Sequence, residues 1–342
     1  MTPAMTDAPT VSRSIPSTPR PRRRSVLGWG LAGAVTATSA WAQQDWPSRG
    51  LKIVVPFSAG GAADTSARAV CKRISEIIGQ PITIDNRTGG NAVVAAGVVL
   101  GAPKDGYTFI WDAANQLTNA VLVKDLPFDY RNAFAPITMA VRAPQALLVR
   151  HDFPARTLEE FLELAKTRPA SISCGTPPSG GMAHLALALL QQRAGIRLIH
   201  TPYRGGADAA RDLMGGQIDA GLFTTSTARN PVSSGKARML AVTSSSRVAA
   251  YADVPTLAER GFPGYEMDDW FGLFAAQGAP DMALERLQAA TVQAAKDPQL
   301  ATSLAPLGLV LVGNSTAEFQ SWLQRQRELL HQLIRDSNIV LG

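Results

Sequence analysis

The sequence predicts an α/β protein of two lobes, each a mostly parallel sheet flanked by helices. Three observations carry this. Strand-like and helix-like segments alternate along nearly the whole chain. The part that follows an N-terminal leader is about 300 residues, more than one ordinary core holds. Two long extended stretches, 137–150 and 266–277, bracket the middle of the chain, as expected where a chain leaves one lobe, builds a second and returns. The expected boundaries are 43–143 plus 272–342 for the first lobe and 144–271 for the second.

The elements follow in order. Residues 51–55 (LKIVV) are a short β-branched run. Residues 65–78 place Ala67, Val70, Ile74, Ile77 and Ile78 at helical spacing and stop at Gly79. A strand is expected at 82–85, a small-residue helix at 92–100, a turn at Pro103, Asp105 and Gly106, and a strand at 108–111. Parallel strands need helical crossovers of this kind. The second block carries a helix at 158–167, a strand at 171–174, a helix at 182–194, a strand at 196–200 and a helix at 207–214. Strands at 218–222 and 238–243 complete it. Helices at 280–296 and 317–334 close the chain.

The first 42 residues read as an export signal rather than as part of the fold. Arg22, Arg23 and Arg24 precede an apolar stretch from Val26 to Ala37, too short for the ~20 residues of a spanning helix. Ala40, Trp41 and Ala42 fit the small-x-small cleavage rule, so the cut is expected after Ala42. Arg23 and Arg24 before Val26 and Leu27 fit a twin-arginine signal; a general secretion signal is the alternative. This segment carries five arginines and one aspartate, and removing them from 33 basic and 27 acidic residues leaves 28 against 26. The remaining chain is nearly balanced, which argues against nucleic acid or an acidic surface as partner. Cys71 and Cys174 are the two cysteines. They are expected on separate cores and unbridged, and no Cys–His spacing suits a metal.

Glycine pairs recur where strands give way to helices. "PFSAGGAAD" (57–64 after Pro56) places Phe57, Ser58, Ala59, Gly60 and Gly61 before a helix, with Asp64 as a cap or as an orienting group. "DNRTGGNAVV" repeats the arrangement with Gly89, Gly90 and Asn91. "CGTPPSGGMAHLA" does so with Thr176, Ser179, Gly180 and Gly181, and "YRGGADAA" with Tyr203 and its glycines. Glycine lets the backbone turn and approach a ligand closely. First-turn N–H groups lie at the positive end of the helix dipole, so each junction suits a carboxylate or phosphate. At "PFSAGGAAD" the glycines run G-G-A-A-D, which is neither the dinucleotide pattern G-x-G-x-x-G nor a P-loop ending G-K-[ST]. Open α/β sheets bind ligands beyond their strand carboxyl ends, so all four junctions are expected to face one cleft. Arg87 and Arg204 are the nearby cations.

No catalytic constellation emerges. His151, His184, His200 and His331 have no G-x-S-x-G partner. His184 opens a helix, where capping or packing is the expected role and general-base work the alternative. Asp268 and Asp269 are adjacent, so on a strand they point to opposite faces and do not form an acid–base pair. Trp111, Trp270 and Phe271 are expected in the core, with an aromatic pocket as the alternative. No enzyme activity and no cofactor are expected.

Several segments together carry a family resemblance: "VVPFSAGGAADTSAR", "GQPITIDNRTGGN", "PKDGYTFI", "HTPYRGGADAARDLMGGQIDAGLF", "ARMLAVTSSSRVAAYADVPTLAERGFPGYE" and "WFGLFAAQGAP". Over residues 46–322 the chain resembles the Bug family of periplasmic solute-binding proteins, associated with tripartite tricarboxylate transporters. The resemblance implies a Venus-flytrap fold of the type II kind. It implies a small organic carboxylate held by main-chain amides and bridging waters at residues 57–64 and at the loop after Asn86. The loop from Thr176 to His184 would read the rest of the ligand. It also implies a periplasmic location, membrane permease subunits as partners, and a monomer. A ligand-dependent partner of a sensor kinase is the alternative. The chain departs from the family in two places. Its second glycine loop, "NRTGGNAV", is two residues shorter than the usual pattern and has Thr88 for a proline. Thr224 follows Phe223 where relatives often carry an acid.

Overall fold

A computed structural model describes residues 46–337 and 339. The expected signal segment and its cleavage after Ala42 lie outside the described residues. The first sheet joins β1 (Leu51–Val55), β2 (Ile82–Asn86), β3 (Thr108–Asp112), β4 (Phe134–Ala143), β10 (Asp269–Ala276) and β11 (Val310–Leu311). Their order is β11-β4-β10-β3-β1-β2. The second joins β5 (Gln145–Arg150), β6 (Ser173–Thr176), β7 (Ile199–Pro202), β8 (Ala220–Thr224) and β9 (Ala237–Val242), in the order β7-β6-β8-β5-β9.

Both sheets are mixed rather than mostly parallel. β2-β1-β3 and β7-β6-β8 are parallel blocks, linked by crossover helices. In the first lobe these are α1 (Ala62–Ile78) and α2 (Val93–Leu100), and in the second α5 (Met182–Ala194) and α6 (Gly206–Met214). The strands that pass between lobes arrive without a crossover helix and pair antiparallel: β10 with β3 and β4, β5 with β8 and β9.

α1 buries Ala67, Val70, Cys71 and Ile74 and ends at Gly79, whose φ of 69° forms a left-handed C-cap. It starts three residues before the apolar periodicity does, because Ala62, Ala63 and Asp64 are also buried. Capping boxes start α4 (Leu158–Thr167) with Thr157 and Glu160, and α10 (Thr316–Asp336) with Ser315 and Glu318. Three helices escape sequence periodicity: α3 (Asn115–Leu122), α7 (Thr225–Ser233) and α9 (Pro298–Leu304). α3 and α7 are built from Asn, Gln, Thr and Ser, which favour other conformations in isolation. Tertiary contacts fix them. Asn119 of α3 holds Asn91, and the Thr225 N–H at the head of α7 donates to the Pro144 carbonyl at 2.8 Å. α8 (Asp281–Ala295) lies against α1.

The two passages between lobes run side by side. Pro144 alone separates β4 from β5. On return, the Met267 N–H donates to the Thr243 carbonyl at 3.1 Å, and the Gln145 side-chain amide donates to the Met267 carbonyl at 2.8 Å. The Thr243 hydroxyl reaches the same carbonyl at 3.1 Å. Gln145, Thr243 and Met267 therefore form a small buried hinge. β10 belongs to the first sheet from Asp269, which pairs with Ala143. Cys71 and Cys174 are free and buried, and burial pushes both thiols up to about 12. Trp111 and Trp270 are fully buried in the core of the first lobe.

Candidate functional site

The four glycine junctions meet in pairs across the gap between the sheets. The loop after β1 faces the loop before α6. The Ser58 hydroxyl donates to Asp208 Oδ2 at 2.5 Å. A Cβ on Gly205 would lie 2.8 Å from the Ser58 nitrogen, and one on Gly61 would lie 3.7 Å from the Ala207 nitrogen. The loop after β2 faces the loop before α5: a Cβ on Gly180 would collide with Leu122 and lie 3.7 Å from Asn91 Nδ2.

These loops line two regions of the cleft. The inner one is a narrow cavity of about 30 Å³, lined by Phe57, Gly61, Ala62, Ala63, Asp269 and Phe271 from the first lobe. Pro177, Gly206, Thr224 and Thr227 line it from the second. The outer one is a groove of about 870 Å³, lined by Gly89, Gly90, Asn91 and Lys124 on one side and Ser179, Tyr203 and Arg204 on the other. α1 and α6 both begin at the inner cavity, behind Gly61 and Gly205, and neither has a side-chain cap. Their first-turn N–H groups present two positive helix ends to one small space. Among the described residues, neither lysine nor arginine lines that cavity.

The sequence-predicted residues divide among these places. Phe57, Gly61 and Thr224 line the inner cavity, and Gly89, Gly90, Asn91, Ser179 and Tyr203 line the outer groove. Ser58 bridges the lobes. Ala59 is exposed at the loop tip. The others are bonded within their own lobes. Asp64 accepts the Gly60 N–H at 2.9 Å and pairs with Arg68. Burial opposes its ionisation, but Arg68 and the Gly60 N–H outweigh that and hold its carboxyl below the usual range. The Thr176 hydroxyl donates to the Pro177 carbonyl and lies 2.7 Å from His200 Nε2. The Gly180 N–H donates to His184 Nδ1 at 3.0 Å. His184 stacks on His200 with ring centroids 3.9 Å apart. Burial pushes His184 down to about 3, with His200 adding to it, and burial pushes His200 down to about 4. The pair is neutral and holds the third loop. Arg87 is engaged by Asp85 at 2.9 Å.

Two parts of the cleft lie outside the residues that the sequence singles out. One is α3. Its Asn119 exchanges side-chain and main-chain bonds with Asn91 at 2.9 and 2.7 Å, tying the second loop down. Its Asn115 is buried, and neither of its amide atoms has a hydrogen-bond partner among the described residues. The other is a pair of buried acids that sense each other's charge, Asp112 and Asp269, of which Asp269 lines the inner cavity. Asp112, at the end of β3, accepts the Ala113 N–H and the Gln116 amide at 2.8 and 2.9 Å. Burial pushes it up to about 7 against those bonds. Burial likewise pushes Asp269 up to about 7, against the Trp270 N–H and with the neighbouring Asp268 and Asp112 charges adding to it.

Two lobes hinged on paired strands, with helix ends converging between them, define a solute-binding receptor. The chain belongs to the tripartite tricarboxylate transporter family receptors, whose model matches residues 66–339. It is 33% identical over 314 residues to the "UPF0065 protein in tcbD-tcbE intergenic region" of Pseudomonas sp. (strain P51), covering 92% of this chain and 94% of that one. Among solved structures, an R. palustris protein with adipate superposes with a TM-score of 0.83 at 30% identity, covering 86% of this chain and 99% of that one. The periplasmic binding protein BugD superposes with a TM-score of 0.81 at 29% identity, covering 86% and 99%. The Bug-family resemblance and the two-lobed fold are thereby established. Proteins of this family are substrate-binding receptors, not enzymes. Among the described residues no helix is long and apolar enough to cross a membrane.

Proposed function

We propose that this protein is an exported periplasmic receptor, cleaved after Ala42, that captures a small organic carboxylate between its lobes as a monomer. It hands that acid to the permease subunits of a tripartite tricarboxylate-type transporter. The observation that carries the reading is the convergence of the α1 and α6 N-termini, both uncapped, on one cavity without a cationic side chain. Main-chain N–H groups at two helix ends suit a carboxylate, and the adipate-bound relative has an acid of that class. In this reading Phe57, Gly61, Ala62, Ala63 and Gly206 grip the carboxylate. Asn91, Ser179, Tyr203 and Thr224 meet the rest of the ligand, with waters bridging polar gaps.

A thermal-shift panel of carboxylic acids and neutral sugars tests the binding. An acid at about 100 times its Kd adds about 2.7 kcal/mol to stability, an upward shift in melting temperature that is easily seen. Stabilisation by none of the acids, or equally by the sugars, would overturn the reading. For delivery, uptake of the hit acid by cells should fall when the gene is deleted and return with the intact gene.

A further inference from the structure

The adjacent acids on the return passage have different surroundings. Asp268 turns to Arg142 at 3.8 Å. Asp269 is 9% exposed and makes no ion pair among the described residues. Its Oδ1 accepts the Trp270 N–H at 2.9 Å, while no described protein donor reaches Oδ2. That side chain lines the inner cavity beside Thr224 and Thr227, in the space onto which α1 and α6 open. The cavity is therefore bipolar: positive helix ends on two walls, and a carboxyl without a counter-charge on the floor.

This asymmetry separates ligand classes. A carboxylate alone satisfies the helix ends and leaves Asp269 either a buried charge without a partner or a carboxyl held protonated, and both cost free energy at neutral pH. A second carboxylate brought against Asp269 adds like-charge repulsion. An ammonium supplies both the missing charge and up to three N–H donors.

We propose that Asp269 is an ammonium subsite, so that the physiological ligand is a zwitterionic amino acid rather than a plain organic acid. This rests on the reading of the helix ends as a carboxylate site, and adds the second pole to it.

The test is calorimetric titration of the intact protein with amino acids, each paired with the acid of the same skeleton lacking the amino group. Alanine with propionate, aspartate with succinate, glutamate with glutarate, and phenylalanine with 3-phenylpropionate span the side-chain classes. The best amino acid should bind at least about tenfold tighter than its partner, the scale of a desolvated charge pair. In Asp269→Asn that gap should shrink to within about threefold. Should that variant fail to fold, the paired comparison on the unaltered protein decides alone. Acids that bind as well as, or better than, their amino counterparts would refute the ammonium subsite and leave the carboxylate site standing. If no member of any pair binds, both fall.

Discussion

Ser58 and Asp208 stand 150 positions apart in the chain and share a 2.5 Å hydrogen bond across the cleft. Each sits on one of the two helix-opening segments that line the inner cavity, so the bond ties together the two elements proposed to grip the ligand. A hydrogen bond to a carboxylate contributes about 1.5–3 kcal/mol. Ser58→Ala is therefore expected to weaken ligand binding by about tenfold or more, while urea denaturation of the ligand-free protein changes little. Equal affinity in the two proteins, by calorimetry, would show that this bond does not contribute to closure.

Gly205 gives a sharper probe of closure. Its φ of −173° is extended backbone that any residue adopts, so alanine there strains nothing locally. The added Cβ would meet Ser58 of the opposite lobe, at 2.8 Å from its backbone nitrogen. Overpacking of this kind costs about 1–3 kcal/mol. Gly205→Ala should fold normally, bind ligand about tenfold or more weakly, and keep a larger radius of gyration by small-angle scattering when ligand is added. Unchanged compaction would contradict the closed geometry. Gly60 suits the same test less well: its φ of 80° makes any side chain there a backbone strain as well.

The second loop carries its conformation in consecutive left-handed residues: Gly89 (φ 118°), Gly90 (54°), Asn91 (54°) and Ala92 (73°). Gly89, with ψ 158°, lies in a region only glycine occupies readily. Gly89→Ala should cost about 1–3 kcal/mol in chemical denaturation. Gly97, inside α2, is exposed, and a Cβ added there would meet no neighbouring atom within 4 Å. Gly97→Ala should instead add about 0.5–1 kcal/mol. Similar effects at both positions would mean that the loop backbone is not held in this form.

Buried titratable groups pull stability in opposite directions with pH. The folded values of Asp112 and Asp269, about 7, lie above the ordinary 3.8, so their contribution is in place below pH 3.8 and lost as pH rises through 7. His184 and His200, at about 3 and about 4, lie below the ordinary 6.5, so theirs is in place above pH 6.5 and lost as pH falls through those values. Asp269 also senses the charges of Asp268 and Asp112. Asp269→Asn should gain stability over the unaltered protein at pH 8, with the gain shrinking towards pH 4.5 in urea titrations. A gain independent of pH would contradict the raised carboxyl.

Much of this architecture was legible in the sequence because glycine pairs and apolar periodicity are local signals. The β1 run, the α1 stripe from Ala67 to Ile78 and the four glycine junctions needed no tertiary knowledge. What escaped depends on contacts formed only in the fold. α3 has polar residues and no capping box, yet its Asn119 holds Asn91 across 28 positions. The inner and outer divisions of the cleft depend on how the lobes close. Thr176 and His184 both turn to His200, partners 24 and 16 positions away that no spacing rule connects. The mixed sheets follow from the lobe-crossing strands, whose direction the alternation pattern did not reveal.

The central claim is that main-chain amides at the two facing helix ends take the ligand's carboxylate. Its most direct test is an ¹⁵N NMR titration with the tightest-binding acid of the panel. The account predicts that the amide resonances of Gly61, Ala62, Ala63, Gly206 and Ala207 shift most, with those of the exposed 3₁₀ turn at Ala258–Arg260 unchanged. Saturable binding that leaves those five amides unmoved would contradict it.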